Sequence, residues 1–168
     1  MAATSIDRVL DEAIASSTAP GIVALAADER GAFYQGARGR VAPDAATPVS
    51  LDSVFRIASM TKTMTAAAIV QLAQEGKLRF DDPVSKYVQG VPNGDNITIG
   101  QLLKMRSGLY NYTDAPELAE SLDRNPTKAW TSEELRAIAF KHPPLFAPGT
   151  EYDYCNTNYV LLGLVAEK

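Results

Sequence analysis

Apolar positions near the start of the chain recur at helical spacing. Ile6, Val9, Leu10, Ala13 and Ile14 share one face of a helix over 5–16, with Thr4 or Ser5 as its N-cap and Pro20-Gly21 as its stop. The pattern then changes. Ile22–Ala27 and Ala32–Ala37 are short apolar runs separated by the polar Asp28-Glu29-Arg30-Gly31, which predicts a β-hairpin. Residues 38–50 carry Gly39, Pro43 and Pro48 without periodicity and read as loop. A longer helix follows over 59–75, with Met60, Met64, Ala67, Ala68 and Leu72 on one side and Gly76 closing it. Asp81-Asp82-Pro83 opens a short helix through Tyr87, with proline at the first helical position.

Two capping boxes mark further helix starts. Thr98-Ile99-Gly100-Gln101 predicts a helix over 99–106, and Thr131-Ser132-Glu133-Glu134 one over 132–140. Between them residues 107–114 form a polar loop that contains aromatic side chains. A last helix spans 158–168, with Leu161, Leu162 and Val165 as its buried stripe. The division is lopsided: residues 1–50 supply one helix and the hairpin, and 51–168 are mainly helical. Two strands alone make a marginal sheet, so the fold reads as one incomplete domain whose remaining strands come from elsewhere.

Composition narrows the function classes. The chain has 168 residues, 46% hydrophobic and 21% charged, with 11 glycines and 10 prolines. These are globular proportions and a length that can bury roughly 70% of the unfolded surface. A net charge of −4 disfavours nucleic acid or an anionic membrane as main partner. The longest apolar run, Ile22–Ala27, falls far short of the ~20 residues of a membrane helix. Met1-Ala2-Ala3-Thr4 lacks a basic n-region and an apolar h-region, so no secretory signal is read; the cytoplasm and secretion after leader removal both fit. One cysteine and one histidine, Cys155 and His142, exclude an internal disulfide, a cysteine zinc cluster and a multi-histidine site.

Ser59-Met60-Thr61-Lys62 carries the first candidate chemistry. Residues three apart share a helix face, so the Lys62 amine can reach the Ser59 hydroxyl and serve it as a base. A lysine acts in that way once burial or a neighbouring positive charge favours its neutral form. At a helix start the backbone N–H of Ser59 would also favour developing negative charge. A motif this short is expected on the order of once by chance in such a chain. Tyr154-Cys155-Asn156 is the second candidate, since a phenol can pass a proton and an amide can both donate and accept hydrogen bonds. The alternative makes Tyr152, Tyr154 and Tyr159 an aromatic cluster that seats the last helix.

Together these segments resemble a known family. Phe55 to Lys62, Gln71-Leu72, Glu75 to Leu78, Ile97-Thr98-Ile99, Gln101-Leu102-Leu103, Arg106 to Tyr110, Pro148-Gly149, Tyr152, Tyr154 to Tyr159 and Leu161-Leu162-Gly163 follow in order. They resemble the class C β-lactamases, the penicillin-binding-protein-like serine hydrolases that include DD-carboxypeptidases, D-aminopeptidases and lactamase-fold esterases. The resemblance spans at least residues 20–168. It implies the N-terminal part of the β-lactamase/DD-peptidase fold, an α/β part followed by a helical one, with C-terminal sheet strands missing. It also implies a serine hydrolase that forms an acyl-enzyme on an ester, a D-amino-acid peptide or amide, or a β-lactam, with no cofactor and no metal. Ser59 is then similar to the acylated nucleophile and Lys62 to its base partner. Tyr154 matches the tyrosine that shuttles protons, and Asn156 the residue that hydrogen-bonds the lysine and the substrate carbonyl.

Two positions depart from the family pattern. Cys155 stands where Ser is common, either as a reactive thiol beside the site or as an inert buried one. No Gly has Lys or His two positions before it, so the Lys-Thr-Gly or His-x-Gly strand is missing; Arg106-Ser107-Gly108 is the nearest mimic. With that strand goes a second oxyanion donor, worth about 10²–10³ in rate. A half-length form is therefore expected, with an open sheet edge that draws a second copy or a complementary C-terminal chain. The rival readings are a β-lactam-binding sensor without turnover and an inactive fragment. Other residues are weaker candidates: His142 for a triad, Asp81 and Asp82 as paired carboxylates or simple helix-start caps, and Trp130 with residues 110–112 as pocket lining or ordinary packing.

Overall fold

The computed structural model describes residues 4–16 and 19–168, which separate into two compact units, Met1–Arg56 and Ile57–Lys168. In the first, helix α1 (Thr4–Ser16) is followed by strands β1 (Gly21–Asp28) and β2 (Gly31–Gly39). The strands pair antiparallel from Gly21 opposite Gly39 to Asp28 opposite Gly31, with a bulge at Ala26/Ala27. Arg38 on β2 donates to Asp7 and Asp11 of α1 at 2.6 and 2.7 Å, and Tyr34 donates to Asp7 at 2.7 Å. Helix α1 already includes both Thr4 and Ser5, and the position that would cap it lies outside the described residues. Its Leu10 is buried while Val9 is exposed, so the inward face is narrower than the apolar spacing alone implies.

The second unit is built on α2 (Thr61–Gln74), α3 (Ile99–Leu103), α4 (Pro116–Arg124), α5 (Ser132–Phe140) and α6 (Asn156–Ala166). Helix α6 packs against α2, α3 and α5. Its Leu161, Leu162 and Val165 join Ile69 of α2, Ile99 and Leu102 of α3, and Leu78, Val84, Val88, Val91, Ile97 and Leu109 in one buried cluster. Each such Leu or Ile side chain is worth about 1.5–3 kcal/mol when fully withdrawn from water.

Both capping boxes form: Thr98 with Gln101, and Thr131 with Glu134. Several boundaries differ from the sequence reading. Helix α3 stops at Leu103 instead of 106, because Met105 takes a left-handed backbone (φ 58°) and Arg106 turns to donate to the Gly149 carbonyl at 2.6 Å. Pro83 is extended (φ −68°, ψ 143°) and precedes a short 3₁₀ turn, Val84–Lys86, instead of starting a helix. The 107–114 loop ends in a 3₁₀ turn at Tyr112–Asp114. Helix α6 begins at Asn156, two residues earlier than expected.

Helix α4 has no counterpart in the sequence reading; its signals are Pro116 in the first turn and the buried Leu118. On α2 the inward side chain is Ile69, with Leu72 and Ala73 packed beside it, whereas Met60 and Met64 are exposed. Apolar spacing cannot choose between two adjacent faces of an apolar helix. The position of α6 does.

Candidate active site

Ser59 sits in a 3₁₀ turn, Ala58–Met60, that runs directly into α2. The chain enters this turn through Ala58, whose φ of 44° is a left-handed conformation costly for a residue with a Cβ. Ser59 thereby lies in the first turn of the helical segment, where backbone N–H groups have no carbonyl one turn behind them. Lys62 follows one turn later on the same face, and its Nζ donates to Ser59 Oγ at 3.0 Å.

The other half of the site comes from the entry into α6. The residues before α6 dock on the segment after α3: Asp153 N–H donates to the Met105 carbonyl at 3.0 Å, and the Cys155 thiol to the Leu109 carbonyl at 3.3 Å. This docking carries the Tyr154 hydroxyl to Ser59 Oγ, to which it donates at 2.6 Å. Asn156, the first residue of α6, turns its Oδ1 to Lys62 Nζ, which donates to it at 2.6 Å. The lysine ammonium also lies 5.0 Å from the Tyr154 ring centroid and 5.8 Å from that of Tyr159, within cation–π range. All four residues singled out in the sequence are therefore joined by these hydrogen bonds, and Ser59, Lys62 and Asn156 line a cleft of about 350 Å³ together with Ala58, Thr65, Tyr112 and Tyr159.

The electrostatics follow from these contacts. The Tyr154 hydroxyl is held below its ordinary value of 10.0, first by its hydrogen bond with the Lys62 amine and then by that with Ser59. Burial pushes the Tyr112 and Tyr159 hydroxyls up. The Cys155 thiol is likewise pushed up by burial, and only 2% of the residue is exposed. A thiol with these surroundings is a packed side chain, as the inert alternative holds.

Other candidates fall elsewhere. His142 stacks on the Tyr110 ring, centroids 3.9 Å apart, and does not line the cleft. Trp130 lies under the Lys128 ammonium, 3.4 Å from its ring centroid. Asp82 accepts from Tyr87, Lys86 and the Arg79 backbone, which together hold its carboxyl at about 2, and Asp81 pairs with Arg79; the two serve local turns, not a shared proton. Tyr152 is 66% exposed, so no three-tyrosine cluster seats α6. In the Arg106-Ser107-Gly108 mimic, Arg106 and Ser107 are occupied by Gly149 and Asn158. Gly108 has φ 76°, and a Cβ there would meet the Phe146 carbonyl at 2.1 Å. The segment is a structural corner.

Thr113 and Asp114 reach the site unannounced by the sequence reading, which offered Asn111 only within residues 110–112 as pocket lining. Asn111 Oδ1 accepts from both the backbone N–H and Nδ2 of Asn156, at 3.0 and 3.2 Å. The only signal in the sequence is the run of short polar side chains in Asn111-Tyr112-Thr113-Asp114. Among the described residues no group of three His, Cys, Asp or Glu side chains could hold a metal ion, and no helix is long and apolar enough to cross a membrane.

A serine served by a lysine one turn on and by a Tyr-x-Asn element from a distant helix start defines a class, and comparison gives it a family. The chain belongs to the Beta-lactamase family, whose family model matches residues 6–168. The order found here, two antiparallel strands and then helices, is that of the N-terminal part of this fold. Among its relatives, Protein flp of Staphylococcus aureus (strain N315) is 33% identical over 96% of this chain and 32% of its own length. Esterase EstB of Burkholderia gladioli is 29% identical over 99% of this chain and 45% of its own. A D-stereospecific amidohydrolase from Streptomyces sp. superposes with a TM-score of 0.84 at 36% identity, covering 95% of this chain and 47% of that one. The chain thus spans between a third and a half of the length of these relatives.

Proposed function

We propose that the chain carries the nucleophile half of a serine hydrolase that forms an acyl-enzyme on Ser59. The observation that carries this reading is the pair of hydrogen bonds reaching Ser59 Oγ, from Lys62 Nζ at 3.0 Å and from the Tyr154 hydroxyl at 2.6 Å. In the reaction, the Ser59 proton passes to the Lys62–Tyr154 pair while Oγ bonds to the substrate carbonyl carbon. The lowered pKa of the Tyr154 hydroxyl supports the phenolate as the immediate acceptor. Negative charge on the carbonyl oxygen then faces the Ser59 N–H in the first turn. Collapse breaks the bond to the leaving oxygen or nitrogen, which takes the proton from Tyr154. Water, losing its proton to the same pair, bonds to the acyl carbon, and the bond to Ser59 Oγ breaks as Oγ takes that proton back, releasing the acid and restoring the serine.

The role of Asn156 in this scheme is to accept from Lys62 and hold it between Ser59 and Tyr154, with its amide beside the substrate carbonyl. The substrate is an ester, a D-amino-acid peptide or amide, or a β-lactam. The names of EstB and of the Streptomyces amidohydrolase support the first two. The opposing wall, with its second oxyanion donor, comes in this reading from residues that the sequence does not contain, since no Lys-x-Gly or His-x-Gly occurs in it.

The test is covalent labelling. Intact mass after exposure to a fluorophosphonate or a β-lactam should show one adduct, lost in Ser59→Ala; undiminished labelling of that variant would refute the assignment. Steady release of nitrophenol from a p-nitrophenyl ester distinguishes a hydrolase from a sensor that holds its adduct.

A further inference from the structure

We infer that Asn111 is a positioning residue for this site: oriented by Asp114, it holds the Asn156 side chain with its amide oxygen turned to Lys62. The inference rests on the reading of Lys62 and Asn156 above, and adds to it the device that sets the direction of the amide.

A side-chain amide can sit either way round, and its neighbours decide which. Here the hydrogen bonds form a directed chain with one consistent polarity. A carboxylate only accepts, so the 3.2 Å contact between Asn111 Nδ2 and Asp114 Oδ1 places the Asn111 nitrogen on the Asp114 side. That leaves Asn111 Oδ1 facing α6, where it accepts from the Asn156 backbone N–H at 3.0 Å and from Asn156 Nδ2 at 3.2 Å. Thr113 forms a parallel arm: its Oγ1 donates to the same Asp114 oxygen at 3.5 Å and accepts from Asn156 Nδ2 at 3.2 Å. Both arms claim the Asn156 nitrogen. Its oxygen is left for Lys62 Nζ, which donates at 2.6 Å.

The turn explains how these groups meet. Asp114 N–H donates to the Asn111 carbonyl at 3.0 Å, closing the Tyr112–Asp114 turn and folding the carboxylate back on the Asn111 side chain. Asn111 is 6% exposed, so its amide has little water to fall back on. It also satisfies an N–H at the start of α6, a helix whose own N-cap residue, Cys155, supplies no side-chain acceptor. The same side chain thus anchors the helix end and aims the residue that the helix end presents.

The polarity argument predicts a specific rescue. Asn111→Asp keeps the acceptor for Asn156 but sets a second carboxylate against Asp114, with no donor between them. Acylation of Ser59 by a p-nitrophenyl ester or a β-lactam should slow by roughly tenfold to a hundredfold, the factor of one lost or misdirected hydrogen bond to a charged group. Asp114→Asn in that background restores a donor between the two positions without changing the summed charge of the natural pair. Asn111→Asp/Asp114→Asn should therefore recover to within about threefold of the unaltered protein. Asn111→Leu offers neither donor nor acceptor and should not be rescued by Asp114→Asn.

A second readout needs no chemistry. The Asn156 side-chain NH₂ resonances in a ¹⁵N-labelled chain should shift in Asn111→Asp and return in the double variant. Failure of Ser59 labelling in the unaltered protein would count against the proposed function and leave this resonance test standing. An unmoved Asn156 amide in Asn111→Asp, or a double variant no better than the single one in both readouts, would overturn the inference.

Discussion

Replacing Asn158 by alanine should destabilise the helical unit by roughly 2–4 kcal/mol. Asn158 is fully buried on α6, two residues beyond Asn156. Its Oδ1 accepts from Ser107 Oγ at 2.6 Å, and its Nδ2 donates to the Leu102 carbonyl at 3.3 Å. The Leu102 carbonyl also accepts from Met105 N–H at 3.2 Å, so it keeps a partner in the variant. The buried Ser107 Oγ still accepts from the Leu109 N–H at 3.1 Å, but its O–H loses its acceptor, and an orphaned donor of this kind costs about 1–3 kcal/mol. The space vacated by the amide adds about 1 kcal/mol or more, since tightly packed surroundings relax only in part. That is a large fraction of the roughly 5–15 kcal/mol available to a domain.

The assay is urea unfolding followed by tryptophan fluorescence. Trp130 is the single tryptophan, and it lies in the 57–168 unit, so the transition reports on that unit. The cycle Asn158→Ala, Ser107→Ala and the double variant should show coupling of about 1–2 kcal/mol, because the second removal no longer breaks an intact bond. A cost under about 1 kcal/mol for Asn158→Ala, or additivity within about 0.3–0.5 kcal/mol, would refute the reasoning.

Two further outcomes follow from the site electrostatics. Because the Lys62 amine is the largest cause of the lowered Tyr154 value, Lys62→Met should move the Tyr154 titration up toward 10, read as tyrosinate absorbance by difference against Tyr154→Phe. The rising limb of acylation against pH, which follows formation of the phenolate, should lie below 10 in the unaltered protein and move up with it. The same variant should lower kcat by about 10²–10⁴ with little change in KM; a titration that stays in place would contradict the coupling. Cys155, buried and with its thiol pushed up, should resist a thiol reagent in the native protein and react fully in denaturant, and Cys155→Ser should change Ser59 labelling by less than about threefold. Fast native reaction would show an accessible thiol.

Much of this protein is written in local sequence. The Thr98 and Thr131 capping boxes, the hairpin over residues 21–39 and the Leu161-Leu162-Val165 stripe all follow from side chains within a few residues of one another, and so does the placement of Lys62 one turn beyond Ser59. Residue chemistry singled out Tyr154 and Asn156 and the family resemblance gave them roles, although nothing in their spacing from Ser59 brings them near it. Tertiary structure decided the rest. Which face of α2 turns inward depends on where α6 lies. The left-handed Met105 that ends α3 early depends on Arg106 reaching Gly149 across 43 positions. The amide of Asn156 is aimed by Asn111 and Asp114, more than 40 positions away. Propensity and periodicity act over one or two turns of chain. Side-chain amides, buried hydroxyls and apolar faces without a unique partner take their direction from whatever the folded chain sets against them, and only the assembled packing states that.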